Sequence, residues 1–513
     1  WVWPLAAWFN ASFDFVKDDL GLIHVTRAFA DAIQWLLDVT ANLLYGKSRW
    51  PKLGPVPWTA LAVTAFMVGY ALRGWGLGVL AGGTFVWLAL IGQWKWAMET
   101  LSVVVVAAPL AVGLGLALGV AAWRNRWVEA ALNPFLNLAQ SLPHFTYMIP
   151  VVVFIGVGAK AGAIATIIFA TPPMVRMTVL GLKKVPPEVI EAGQMSGASA
   201  WQLLRFVRTP TARAEILVGV NQVIMQCLAM VVLASFIGMP GLGVKLLQLM
   251  QSLKIGRSIE IGISIVLIAV VLDRCSKAWA ERQPIHWERG TPWWERHKLW
   301  LIWAGLVAVC FAVAQVWDYA HELPRRKAFT FSKELDWLVD GLLAQIGEGA
   351  LAFRAFAIEH VLIPWREAYR GLPVAAVLAG IAGIGWWIGG ARSAAIAGAY
   401  VVFIALSGWW DRAMITAYLV SVAVILASLI GLPLGIWAAG NAKRAGAALL
   451  ALDTAQTFPS FVYIVPVIML FQVSDVAVIS AVTVFALVPL TRYTIEGLRS
   501  VPDAMIEAAD MSG

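Results

Sequence analysis

Charge is scarce in this 513-residue chain: only 13% of the residues are Asp, Glu, Lys or Arg, against roughly 25% in soluble domains. With a mean hydropathy of +0.77, that scarcity excludes a soluble enzyme, a disordered chain and a nucleic-acid-binding domain. Cysteine is scarcer still. Cys227, Cys275 and Cys310 stand apart, without disulfide pairing or metal-ligand spacing. No His/Asp/Glu cluster has metal or nucleophile spacing, which leaves a membrane-embedded enzyme without a candidate centre. Strand-like alternation of hydropathy is missing too, and its absence argues against a transmembrane barrel. What remains is apolar: 60% of the residues are hydrophobic, with several runs near the ~20 residues that a bilayer-crossing helix needs. The expected fold is all-α, a polytopic transmembrane helical bundle.

Tryptophan is abundant, at 27 residues. Trp94 and Trp410 read as interfacial anchors, and a cation-binding cage is the sharper alternative for the others. The net charge of +8 reads as Lys and Arg retained in cytoplasmic loops.

The chain repeats itself. Residues 185–197 and 501–513 agree at eight of 13 positions, at a constant offset of 316. The same offset pairs Gln140 with Gln456, Pro143 with Pro459, Pro150 with Pro466, Pro173 with Pro489 and Arg176 with Arg492. Upstream it pairs Gly115 with Gly431, Gly119 with Gly435 and Asn125 with Asn441. Shared membrane composition aligns leucines by chance, but not prolines, glycines and arginines over a hundred residues.

Hydropathy places spans near 56–72, 76–92, 98–122, 130–157, 161–182, 214–238 and 258–273, then an extra span at 298–316. The second copy repeats them near 371–388, 392–408, 414–438, 446–472 and 475–498. The resulting division is 1–55, an external amphipathic segment; 56–273, a first repeat; 274–297, a cytoplasmic linker; 298–316, the extra span; 317–365, a second external amphipathic segment; and 366–513, an incomplete second repeat. Eight spans separate equivalent points, so the two copies face the same way, unlike the inverted repeats common in secondary transporters. Lys183, Lys184, Arg205, Arg208 and Arg213 gather in one loop, and the positive-inside rule makes it cytoplasmic. The sequence starts at Trp1 and stops within the second such loop, so a preceding segment and two further spans are expected beyond it.

Residues 183–213 carry most of the functional signal. Pro186 and Pro187 can open a helix, Gly197 permits the left-handed conformation that ends one, and Ser199 can cap the next. That second helix is expected to show Trp201, Leu204 and Phe206 on one side and Arg205 and Arg208 on another. The product is a rigid helix–turn–helix knob, suited to a partner's groove. Here the chain resembles the inner-membrane permeases of binding-protein-dependent ABC importers. Their signature is Glu-Ala-Ala, three residues, Gly, nine residues, Ile, one residue, Leu-Pro. Glu191-Ala192-Gly193, Gly197, Val207 and Pro210 fall at those positions, with Gly193 in place of the third alanine and Thr209 in place of the leucine. Glu507-Ala508-Ala509 and Gly513 match the opening without substitution.

The resemblance implies a type I ABC importer permease fold in tandem parallel duplication. It implies that Glu191, Ala192 and Gly197 dock one ATP-binding subunit, and Glu507, Ala508 and Gly513 a second. It implies an extracytoplasmic substrate-binding protein, and ATP and Mg held by the ATPase subunits with no cofactor on this chain. Gly46-Lys47-Ser48 imitates the end of a phosphate-binding loop, but the motif needs Gly where this chain has Ala41.

Residues 139–150 and 455–466 look like the glycine betaine, proline and choline branch of that family, with the trimethylamine N-oxide importers close by. Its substrates, small methylated amines serving as compatible solutes, bind aromatic faces at about 0.5–2 kcal/mol per contact. Phe145 with Phe461 and Tyr147 with Tyr463 are candidate pathway linings, with helix packing as the alternative. Asn221, Gln222 and Gln226 are candidate polar linings, or glue between helices. Arg176 is expected to snorkel toward the cytoplasmic interface, with a pore-facing role as the alternative. The rival function is an ion-coupled secondary transporter of a quaternary amine.

Overall fold

The computed structural model describes residues 3–15, 22–46, 54–252, 254–282, 292–457 and 460–512. They are helical throughout, without a strand among them. Backbone amides in a bilayer core must be satisfied inside their own segment, and helices do this. Among the described residues, eight helices are long and apolar enough to cross a membrane. The chain divides into two compact units, 22–335 and 1–21 with 336–513.

The first unit begins with α2 (Leu22–Tyr45), following α1 (Leu5–Asp14) of the other unit. Its helices are α3 (Trp58–Arg73), α4 (Trp75–Leu90), α5 (Trp94–Arg124), α6 (Arg126–Ser141), α7 (His144–Ile155), α8 (Ala159–Lys183) and α9 (Pro187–Met195). After them come α10 (Arg213–Leu233), α11 (Leu242–Gln251), α12 (Ile255–Glu281) and α13 (Lys298–Val316). Amphipathic α2 braces α5, α7 and α8, and Lys160 pairs with Asp31 at 3.0 Å on that contact. At the centre α5 and α10 pack on α8, and α12 packs on α10. The α5–α8 contact is close because Gly115 and Gly119 present no side chain: a Cβ at Gly119 would lie 2.6 Å from the Thr178 Cβ. The extra span α13 buries little more than Ala314, as expected of a helix facing lipid.

α14 (Ser332–Phe356) begins at the division between units, and the second unit continues with α15 (Ile363–Arg370), α16 (Val374–Leu406) and α17 (Trp410–Ala439). It ends with α18 (Ala442–Thr457), α19 (Ser460–Phe471), α20 (Asp475–Arg499) and α21 (Asp503–Met511). The bounds of α6, α7, α8 and α9, moved by 316, are those of α18, α19, α20 and α21. Details repeat as well. Asn125 caps α6 by accepting from Trp127 N at 2.9 Å, and Asn441 accepts from Lys443 N at 2.8 Å. α17 packs on α20 as α5 does on α8, with Gly435 as close to Thr494 as Gly119 is to Thr178.

Three expectations change. The span near 130–157 is two helices, α6 and α7, bent by 105°. Leu142 is extended (φ −69°, ψ 137°) because it precedes Pro143, whose ring disfavours helical geometry in the residue before it. The first two spans are 16-residue helices, about 24 Å long at 1.5 Å per residue; they form a short hairpin turned at Gly74 (φ +81°). Their copies, expected at 371–388 and 392–408, form α16, which also doubles back: Gly390 has φ +69°, and Gly398 lies against Leu378 and Ala382 as Gly82 lies against Ala62 and Phe66. Ala41 is buried inside α2, so a helix occupies the place where a phosphate loop would open. Lys47, Ser48 and Pro459 lie outside the described residues.

Candidate functional site

The knob is built as its sequence dictates. Pro186 caps α9 and Pro187 opens it, with Glu188 in the first turn where the helix dipole favours a negative charge. Gly197 reverses the chain at φ +76°. Ser199 and Gln202 form a reciprocal capping box: Ser199 N donates to Gln202 Oε1 at 2.8 Å, and Gln202 N to Ser199 Oγ at 3.4 Å.

The helical segment 200–211 that follows widens to a π-turn over Leu203–Arg208. Pro210 has no N–H to continue an α-helical ladder, and the Thr209 hydroxyl donates to Leu204 O at 2.7 Å. Threonine in place of the signature leucine thus serves the backbone. At Gly193, in place of alanine, a Cβ would lie 2.6 Å from Leu203 Cδ2, where the two arms of the knob meet.

The root of the knob is held by the transmembrane helices. Leu182, Val185 and Ala212 are buried against Val120, Trp123, Ile190, Leu204 and Ile216. Lys183 pairs with Glu129 at 2.6 Å and Lys184 with Glu215 at 3.5 Å. Arg208 lies 4.7 Å from the centre of the Trp123 ring, and Arg213 donates to Arg282 O at 3.1 Å. The root of the knob thus touches α5, α8 and α10 and, through Arg213, the end of α12.

Its outer surface is exposed. Glu191 and Ala192 face outward on α9. The expected apolar side splits: Leu204 turns into the root, while Trp201 and Phe206 point away, 65% and 66% exposed. Phe206, two residues after Leu204, cannot share its side of a helix, whereas Trp201, three residues before it, could and turns outward all the same. Met195 is 90% exposed, and its copy Met511 is 89% exposed. Sequence reasoning passed over this methionine, although its identity in both copies was visible. On α21, Glu507 and Ala508 are likewise exposed, and Ser512 Oγ donates to Ala508 O as Ser196 Oγ does to Ala192 O, at 2.7 and 2.9 Å. Gly513 lies outside the described residues.

The pathway candidates are more dispersed. Phe145 on α7 meets Phe236 edge-on at 5.2 Å, while Tyr147 stacks on Phe169 at 6.4 Å. Two residues apart on a helix point about 200° apart, so the two rings serve different faces. Phe461 and Tyr463 lie on α19, and their side chains are outside the described set. Asn221 and Gln226 on α10 are half-buried and Gln222 is exposed. Gln226 Oε1 is buried without a hydrogen-bond partner, which makes it the polar candidate with acceptor capacity to spare. Arg176 is exposed and donates to Asn137 Oδ1 at 2.6 Å across α8 and α6.

This geometry agrees with sequence comparison. Residues 111–282 and 431–513 match the family described as binding-protein-dependent transport system inner membrane component. The trimethylamine N-oxide transport system permease protein TmoV of Ruegeria pomeroyi is 53% identical over 99% of this chain and 78% of its own length. TmoV of Pelagibacter ubique is 40% identical over 99% of this chain and 74% of its own length. The glycine betaine/proline betaine transport system permease protein ProW of Escherichia coli is 35% identical over 54% of this chain and 75% of its own length. A multi-pass helical chain with two copies of the signature loop, matched end to end by transport permeases, belongs to the inner-membrane components of binding-protein-dependent transport systems.

Proposed function

We propose that this chain is the permease of an ATP-driven importer of trimethylamine N-oxide, in which the two knobs dock on separate ATP-binding subunits and drive alternating access. The observation that carries the substrate is the 53% identity to a trimethylamine N-oxide permease across 99% of the chain, both copies included. The knobs support the mechanism: each has an exposed Glu-Ala pair and an exposed methionine, and the first is rooted in four helices. A substrate-binding protein would deliver the solute at the opposite, extracytoplasmic end, and ATP and Mg would reside on the partner subunits. Aromatic faces such as Phe145 and Tyr147 suit a trimethylated nitrogen. The direct repeat weighs against the ion-coupled alternative, which favours inverted repeats.

Uptake into vesicles that contain the permease, its ATPase and its binding protein tests the reading. Labelled trimethylamine N-oxide should enter only with ATP, and excess unlabelled glycine betaine, choline or proline should compete weakly. Uptake driven by an ion gradient without ATP would overturn the mechanism. Preferential uptake of another of the four solutes would overturn the substrate.

A further inference from the structure

At the end of the first unit opposite the α9 knob, a cavity of about 260 Å³ opens between the α4–α5 turn, α11, α12 and the stretch of chain at 328–330. Its polar lining is Gln93, Trp96, Lys245, Arg257, Glu260 and Thr330. Gln93 is 3% exposed, and its Oε1 is buried without a hydrogen-bond partner; a buried acceptor left in that state is costly. Lys245 lies 5.3 Å from the centre of the Trp96 ring. Neither Lys245 nor Arg257 has a carboxylate partner among the described residues. Glu260, 5% exposed, accepts from Thr330 Oγ1 at 2.9 Å and from Phe331 N, and a carboxylate has lone pairs for more. Ile91, Leu249, Ile261 and Phe329 supply an apolar wall.

These groups ask for one kind of ligand. Two unpaired cations call for an anion, and Gln93 Oε1 calls for an N–H or O–H donor. Glu260 favours that donor being positive, and the apolar wall suits a hydrocarbon tail. A trimethylated nitrogen has no N–H, so the site does not suit the solute class proposed for transport. We propose that this cavity binds the headgroup of a phospholipid bearing a primary ammonium, of the ethanolamine type. The phosphate would rest on Lys245 and Arg257, and the ammonium on Gln93 and Glu260. Soluble phosphoethanolamine shares the headgroup chemistry; the apolar wall, at the ends of membrane-crossing helices, selects the lipid. Bound there, the lipid ties the 328–332 segment, already held by Glu260, to the ends of α5 and α11.

The test is native mass spectrometry of the intact permease released from nanodiscs containing ethanolamine, glycerol or choline phospholipids. One ethanolamine phospholipid should be retained. Gln93→Leu and the double variant Lys245→Ala/Arg257→Ala should each lower its retention about tenfold. Thermal unfolding without lipid guards against misfolding: both variants should melt like the parent there, and lose only the rise that added ethanolamine lipid produces. Retention unchanged in both variants, or equal retention of the choline or glycerol lipid, would overturn the proposal. Displacement of the lipid by soluble phosphoethanolamine at comparable concentration would overturn the lipid assignment.

Discussion

Met195 and Met511 stand almost fully in solvent at equivalent positions, a poor place for an apolar side chain unless something covers it. Methionine adapts its shape to a partner groove, so both should be covered by ATPase. Met195→Glu and Met511→Glu should each weaken ATPase association by about tenfold, the loss expected when a buried apolar contact is replaced by a charge; pull-down with the purified subunit measures it. Gly197 has φ +76°, and nothing lies within 4 Å of the place a Cβ would take, so Gly197→Val costs only backbone strain, about 1–2 kcal/mol. That strain should misalign the knob and lower transport-coupled ATP hydrolysis several-fold, while affinity for the binding protein at the opposite end stays unchanged. At this scale the sequence was half legible. The caps at Asn125 and Ser199 and the turn at Gly197 follow from local chemistry. The outward turn of Phe206 does not, because the π-turn over Leu203–Arg208 alters the helical phase there.

At the scale of elements, hydropathy located the apolar runs but not what interrupts them. Pro143 reads as a kink in one span, and the backbone at Leu142 makes it a complete break. Gly74 and Gly390 turn two hairpins the same way, φ +81° and +69°, with nothing crowding either site. Gly74→Ala and Gly390→Ala should therefore destabilise by similar amounts, about 1–2 kcal/mol each, visible as matched losses in thermal unfolding. Gly119→Leu and Gly435→Leu should cost more, because each Cβ would begin 2.6 Å from a threonine Cβ on the facing helix. Overpacking of that kind costs about 1–3 kcal/mol or more, and melting in detergent should show the larger drop. Gly115 and Gly119, like Gly431 and Gly435, have the small-xxx-small spacing of close helix contacts, but spacing names one helix of a pair and leaves the partner threonines unread.

Across the whole molecule, the offset of 316 organised everything from helix bounds to caps, and it was readable because prolines and glycines keep their places where leucines drift. The copies are not identical. In the second, Tyr418 donates to Asp475, with Arg366 at 3.8 Å from the same carboxylate, and Arg370 pairs with Asp411 at 2.6 Å. The first copy has Ser102, Ala159, Trp50, Gly54 and Lys95 at those places. In the first copy Gly156 takes φ +96°; in the second Gln472 takes φ +52° and is held by Arg354 at 2.6 Å. Fusion has a genetic consequence. A permease assembled from two identical chains shows every mutation twice; under the proposed function, with one chain supplying both knobs, each codon governs one half. A lesion in one knob therefore yields a uniform population of half-altered molecules, and selection can tune the two halves to different tasks.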